Sequence, residues 1–306
     1  MEPRNPSLPA NFAVTLANGM SDTQTIEATG ALPPLEWPAE RVIVPTRRRL
    51  KLRDLVRERP VIRVLAARDF KVKYKQSALG PAWLVFQPLA LLLAFFVAFR
   101  NLSSVQSSGV PYLLFSLVGL TVWSFFQAAM TIGTASLITN SAFIRFTPCP
   151  RPAFPLAAII ASLPSVAVTA GASLIVAIVL GDLSIHVLAL PLGLAWLLTL
   201  TAGAVGMASA LAVRFRDMIS ALPFLLQVGV FLAPIGYPLA SLSGKVKVLV
   251  ELNPITGLIE AWRWIIIAGY EPSRGPVAIS LVMTAVVAVA GWRLFSRLET
   301  TMADEI

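Results

Sequence analysis

Five stretches of this chain, 82–99, 112–135, 153–180, 187–212 and 219–239, contain no Asp, Glu, Lys, Arg or His, and a sixth, 277–295, contains only Arg293 near its end. A helix needs about 20 apolar residues to cross the hydrocarbon of a bilayer, and repeated runs of that length are foreign to the core of a soluble domain. The fold expected is therefore all-α and polytopic, with six transmembrane helices. A content of 56% hydrophobic and 13% charged residues, with a mean hydropathy of +0.75, agrees. A seventh apolar stretch, 255–268, is short and interrupted by Glu260 and Arg263. It is expected to dip into one face of the membrane as a re-entrant or interfacial helix.

Ahead of the first span the character changes. Residues 1–40 are rich in Pro, Thr, Asn and Ala without a long apolar run, and are expected to form a disordered cytoplasmic tail. Residues 41–76 are densely basic with apolar residues interleaved, the pattern of an amphipathic segment at the membrane interface, with Pro60 opening a helix. The six-span domain is expected over 77–306. Twenty of the 25 lysines and arginines fall in the N-terminal region and in the connections bearing Arg145, Arg151, Arg214, Arg216, Arg293 and Arg297. The other five are Arg100, Lys245, Lys247, Arg263 and Arg274. Cytoplasmic loops carry the excess of positive charge, so both termini are expected in the cytoplasm.

The same distribution explains the net charge of +9, because the cations sit beside apolar runs where they set orientation and meet anionic headgroups. No nucleic-acid partner is expected. A single cysteine, Cys149, and a single histidine, His186, make neither a disulfide framework nor a metal cluster. His186 is expected to be a solvated loop residue. Ion-coupled carriers usually need an ionisable group inside the membrane, and the spans hold none at depth. No G-x-x-x-x-G-K-[ST] loop is present either, so any ATP that drives transport must be hydrolysed by another chain. Acidic residues near a membrane-bound donor are lacking as well, and the chain is not expected to be an enzyme.

Several residues stand out as candidates. The connection 140–152 carries Asn140, Phe143, Ile144, Arg145, Phe146 and Arg151 among three prolines. A short helix stopped by prolines makes a rigid knob for a partner's groove, while a plain connector with orienting arginines would look the same. Trp83, Phe95, Phe99, Trp123, Phe126 and Tyr237 are candidates to line a channel, since flat aromatic faces stack on sugar rings; interfacial and lipid-facing packing accounts for such residues equally. Ala202, Gly206 and Ala210, four apart, permit close helix contact within one subunit or across a homodimer.

Blocks in order along the chain resemble one family. The entry to the first span, from Arg68-Asp69-Phe70-Lys71-Val72-Lys73-Tyr74-Lys75 through Leu79-Gly80-Pro81-Ala82-Trp83 to Gln87-Pro88, is similar to that of ABC-2 type permeases that export polysaccharides. So are Phe215-Arg216-Asp217, the run from Asn253-Pro254 to Arg263-Trp264, and the ending 297–306. The resemblance covers about Arg57 to the C-terminus. It implies a homodimer in a bacterial inner membrane, joined to two copies of an ABC ATPase subunit that bind ATP and Mg, with no cofactor in this chain. The cargo implied is a lipid-diphosphate-linked polysaccharide such as O-antigen, capsule or teichoic acid. By the same resemblance Asn140, Phe143, Ile144, Arg145, Phe146 and Arg151 form the helix that couples to the ATPase, and 255–268 belongs to a short external helical hairpin. Arg68, Lys71, Lys73 and Lys75 become candidates to receive the lipid diphosphate, although anchoring to ordinary anionic lipids explains them too. The alternatives are a permease for a smaller drug or lipid cargo and a non-transporting scaffold for glycan synthesis.

Overall fold

The computed structural model describes residues 58–75, 77–99, 110–146 and 149–299, with the side chains of Phe99, Arg145 and Phe146 excepted. The expected tail and most of the basic segment ahead of residue 58 lie outside the described residues. Helix α1 spans Arg59–Lys75, with Pro60 in its first turn, where a missing N–H costs nothing. Ile62, Leu65 and Ala66, at helical spacing, bury one stripe against Phe154 and Ala157, while most lysines and arginines face outward. A 3₁₀ turn over Gly80–Ala82 then leads into α2, Trp83–Phe99. Among the described side chains of α2, Pro88, Leu92 and Phe95 are buried, a single i, i+4, i+7 stripe; Leu84 and Leu91 are half-buried and the others are exposed.

The centre of the bundle is α3, Tyr112–Thr139, buried along most of its length. After the short α4, Ser141–Phe146, come α5, Ala153–Leu180, and α6, Leu190–Arg214, both packed on α3. Next is α7, Met218–Gly229, followed by a 3₁₀ turn to Leu232. Two shorter helices, α8 at Gly244–Leu252 and α9 at Pro254–Ile266, precede α10, Arg274–Leu298, which lies along α6. At that crossing Gly203 of α6 meets Gly291 of α10 backbone to backbone. The tightest point of the crossing is thus at Gly203, beside Ala202 of the small-residue face expected on α6, while Gly206 of that face stands in ordinary contact with Gly291 O. Apolar side chains such as Ile178, Val179, Leu192, Phe224, Val282 and Val286 remain exposed around the outside, as on a surface that lipid covers.

Among the described residues, five helical segments are long and apolar enough to cross a membrane: Gly80–Ala98, Tyr112–Thr139, Ala153–Leu180, Ile185–Arg214 and Arg274–Leu298. The segment expected as a further span at 219–239 differs. Its helix ends at Leu232, and at 1.5 Å per residue Met218–Leu232 reaches about 22 Å, short of a hydrocarbon layer of about 30 Å. The cause is local. Ala233 precedes Pro234, whose ring disfavours helical geometry in the residue before it, and Ala233 is extended at φ −102°, ψ 135°. Helix α9 restarts cleanly, with Asn253 Oδ1 accepting from the Ile255 amide and Pro254 at the first position.

A small antiparallel contact ties the α5–α6 turn to the end of α9. The Ser184 amide donates to Ile266 O at 3.0 Å and the Ala268 amide to Asp182 O at 2.7 Å. His186 is exposed, as expected, yet it is also docked. Its ring stacks on Trp264 at 4.1 Å, and Ser184 Oγ lies 2.9 Å from its Nδ1.

Candidate functional site

A cavity of about 320 Å³ opens where α1, α2, α3, α5 and α7 converge. Lys73 and Tyr74 contribute from α1, Trp83 and Gln87 from α2, Ser124, Gln127 and Thr131 from α3, Ser165 and Thr169 from α5, and Pro223 from α7. Lys73 keeps an exposed surface, but crowding around its ammonium removes water and lowers its pKa. The ammonium stands 5.4 Å from the centre of the Tyr74 ring. On the opposite walls the hydroxyls are oriented by their own helices: Thr131 donates to Gln127 O at 2.8 Å and Thr169 to Ser165 O at 2.9 Å. Their lone pairs remain to accept from a guest. One cation, two side-chain amides, several hydroxyls and the aromatic faces of Tyr74 and Trp83 can hold a hydroxyl-rich or anionic group. They offer no nucleophile–base pair with which to transform it.

Of the four cations singled out in the sequence, only Lys73 lines this cavity. Lys71 and Lys75 are exposed on α1. The guanidinium of Arg68 is turned to the protein, donating to Asp69 Oδ1 at 2.7 and 3.1 Å and to Asn140 Oδ1 at 2.5 Å. Asn140 is itself buried; it terminates α3 and donates back to Ser136 O at 2.7 Å. Arg68 and Asn140 therefore fasten α1 to the corner where α4 begins. Beyond that corner Phe143 is exposed and meets Phe154 edge-on at 6.0 Å, while Ile144 packs inward. Arg151 donates to the backbone oxygen of Glu299 at the end of α10. Burial pushes the Glu299 carboxyl up to about 7 against the opposing pull of Arg151.

The aromatic candidates divide. Trp83 lines the cavity, whereas Phe95, a turn past the lining Leu91, and Trp123, next to the lining Ser124, are buried. Phe126 is half-buried at 6.1 Å from Trp123, and Tyr237 donates to Phe231 O at 2.8 Å.

The sequence reading treated Glu260 and Arg263 as an interruption of an apolar run. Both are buried in α9, 3.2 Å apart. Two opposite charges three residues apart share one helix face, and that spacing was the available signal. The expectation that no charge lies at depth concerned the spans alone; α9 packs against α3 and carries its pair into the bundle.

A family model described as ABC-2 type transporter matches residues 60–267. Among curated proteins, the chain is 26% identical over 255 residues to an O-antigen export system permease protein RfbA of Klebsiella pneumoniae, covering 79% of this chain and 93% of that one. A second Klebsiella pneumoniae protein of the same name is 24% identical with the same coverage. A Myxococcus xanthus protein of that name is 22% identical over 258 residues, covering 83% of this chain and 98% of its relative.

Proposed function

Because the chain belongs to the ABC-2 type transporter family, we propose that it is the permease subunit of an exporter that carries a lipid-diphosphate-linked polysaccharide across the bacterial inner membrane. The observation that carries this reading is the cavity, where one cation adjoins amides, hydroxyls and two aromatic faces, the set of groups that a phosphate joined to a sugar would use. Its lysine sits on the basic helix that the charge distribution assigns to the cytoplasmic edge, where such a cargo is made available. The name shared by the three relatives supports glycan as the cargo class.

On this reading α1 lies at the interface as the amphipathic segment of 41–76, and the broken stretch after α7 completes a sixth crossing. The α8–α9 pair is the external re-entrant hairpin, and both termini are cytoplasmic. The bare faces of α2 and α7 meet a second copy of the chain, and two ABC ATPase subunits supply ATP and Mg chemistry. The corner from Asn140 through Phe143, Ile144, Arg145 and Phe146 to Arg151 seats in the ATPase.

Copurification with the ATPase, followed by hydrolysis assays in liposomes, tests the proposal. Lipid-diphosphate-linked glycan is expected to stimulate ATP hydrolysis, and Lys73→Met to raise the half-stimulating concentration about tenfold, equivalent to about 1.4 kcal/mol. Stimulation by small amphiphiles and not by the glycan would establish the smaller-cargo alternative, and the lack of any bound ATPase would favour a scaffold. A second substitution isolates the coupling corner. Phe143→Asp puts a carboxylate where apolar contact with the ATPase is expected, and should abolish glycan-stimulated hydrolysis while leaving membrane insertion intact. Normal stimulation in that variant would make α4 a connector only.

A further inference from the structure

Beyond the cavity wall, α2 and the chain after α7 meet in a region built in an unusual way. Along α7, Pro223 lines the cavity, while two turns later the Phe231 ring stands 6.1 Å from that of Phe95. The chain then leaves helical geometry. Gly236 presses so closely on Phe95 and the Tyr112 hydroxyl that a Cβ there would fall 2.6 Å from the Phe95 ring. Phe95 lies one turn past Leu91 of the cavity wall, so this ring pair and the turn 233–237 pressed on it stand just beyond the cavity, along α2 and past the end of α7. The turn has no helix to satisfy its buried carbonyls, and irregular backbone at membrane depth survives only where protein supplies partners.

Arg263 supplies them. Its Nη2 donates to Pro234 O at 2.5 Å and to Ile235 O at 3.1 Å, its Nε to Phe115 O at 3.4 Å, and its guanidinium carbon lies 3.4 Å from the centre of the Phe115 ring. Its remaining fork arm meets Glu260 Oε1 at 3.2 Å. Glu260 is fixed in turn by the Tyr270 hydroxyl at 2.7 Å and the Ser273 amide at 3.2 Å. One planar group, aimed by one carboxylate, thus joins the broken end of α7 to α3 and α9.

Taking from the proposed function only that the chain forms a passage, we propose that Arg263, oriented by Glu260, is the positioning residue of a seal: it holds the turn 233–237 and its aromatic neighbours across the passage, closing it to small solutes in the resting state. A lysine retains the charge but cannot span both carbonyls, Phe115 O and Glu260 at once.

The test uses the full complex with its ATPase, reconstituted in liposomes loaded with carboxyfluorescein and without ATP. The wild type is expected to leak no faster than empty liposomes, Arg263→Lys at least about tenfold faster, and Glu260→Gln to a lesser degree. A purely structural role would reduce yield or melting temperature without opening a leak, so inserted, monodisperse Arg263→Lys that stays tight overturns the proposal. Should that variant fail to fold, amide exchange in the wild-type complex decides. Protection over 233–238 is expected at rest and to fall when a non-hydrolysable ATP analogue is bound; protection identical in both states also overturns it. Glycan-stimulated hydrolysis by the wild type, run in parallel, reports separately on the cargo, so the two readings fail independently.

Discussion

Gly291→Val should leave little folded protein in the membrane. A Cβ at 291 would fall well inside van der Waals contact with the Gly203 carbonyl oxygen, and one at 203 would sit 2.7 Å from the Ala288 Cα. The obstacle in each case is backbone, which cannot rotate aside as a side chain can. The α6–α10 pair would have to separate along its whole length, losing the close contact on which association of membrane helices depends. A cost of at least about 3 kcal/mol is expected, the upper part of the range for overpacking. Gly206→Ala is the control, because its Cβ would find Gly291 O at 3.8 Å, an ordinary contact. Thermal unfolding in mild detergent should separate the two variants widely. A Gly291→Val melting temperature within about 2 °C of the wild type would mean that the helices do not cross here.

The second large effect belongs to the buried pair. Glu260→Leu removes the carboxylate while leaving Arg263 charged and fully enclosed, and it deprives the Tyr270 hydroxyl and the Ser273 amide of their acceptor. Breaking a buried pair from one side costs about 3–5 kcal/mol, chiefly for the stranded charge. The double substitution Glu260→Leu with Arg263→Leu eliminates that charge, although the Pro234 and Ile235 carbonyls then lose their donor at about 1–3 kcal/mol per unsatisfied group. The two losses should therefore fall short of additivity by about 1–3 kcal/mol in a double-mutant cycle. Strict additivity would show that the two residues do not act as a pair.

Hydropathy located the elements that obey it. The runs that became α3, α5, α6 and α10 were legible because each is apolar over a full crossing and nothing inside it stops a helix for long; Pro164 sits within α5 without ending it. The stretch at 219–239 is as apolar as the others, but what ends its helix is Pro234 acting on Ala233, a steric effect that no average over a window registers. The cavity was legible only in pieces. Lys73 and Trp83 were singled out for charge and ring, whereas Gln127, Thr131 and Thr169 carry no signal until α3 and α5 bring them together. Arg68 illustrates the converse. Its place in a basic run suggested a phosphate, but Asp69 takes its fork and Asn140, 72 residues away, accepts from the same Nη2.

The bond between Arg263 and the end of α7 also has a consequence during synthesis. Pro234 O precedes its donor by 29 residues, which at about 5–20 residues per second separates their emergence from the ribosome by roughly 1–6 s. Throughout that interval the exposed carbonyls have no donor from their own chain, so the nascent segment must wait at the watery rim of the bilayer or inside the insertion machinery. The arginine that completes it arrives with its own countercharge, Glu260, already made three positions earlier. The α7–α9 region therefore settles into the membrane as a unit once residue 263 has been made, and a ribosome stalled between residues 240 and 260 would expose it to the membrane's quality-control proteases.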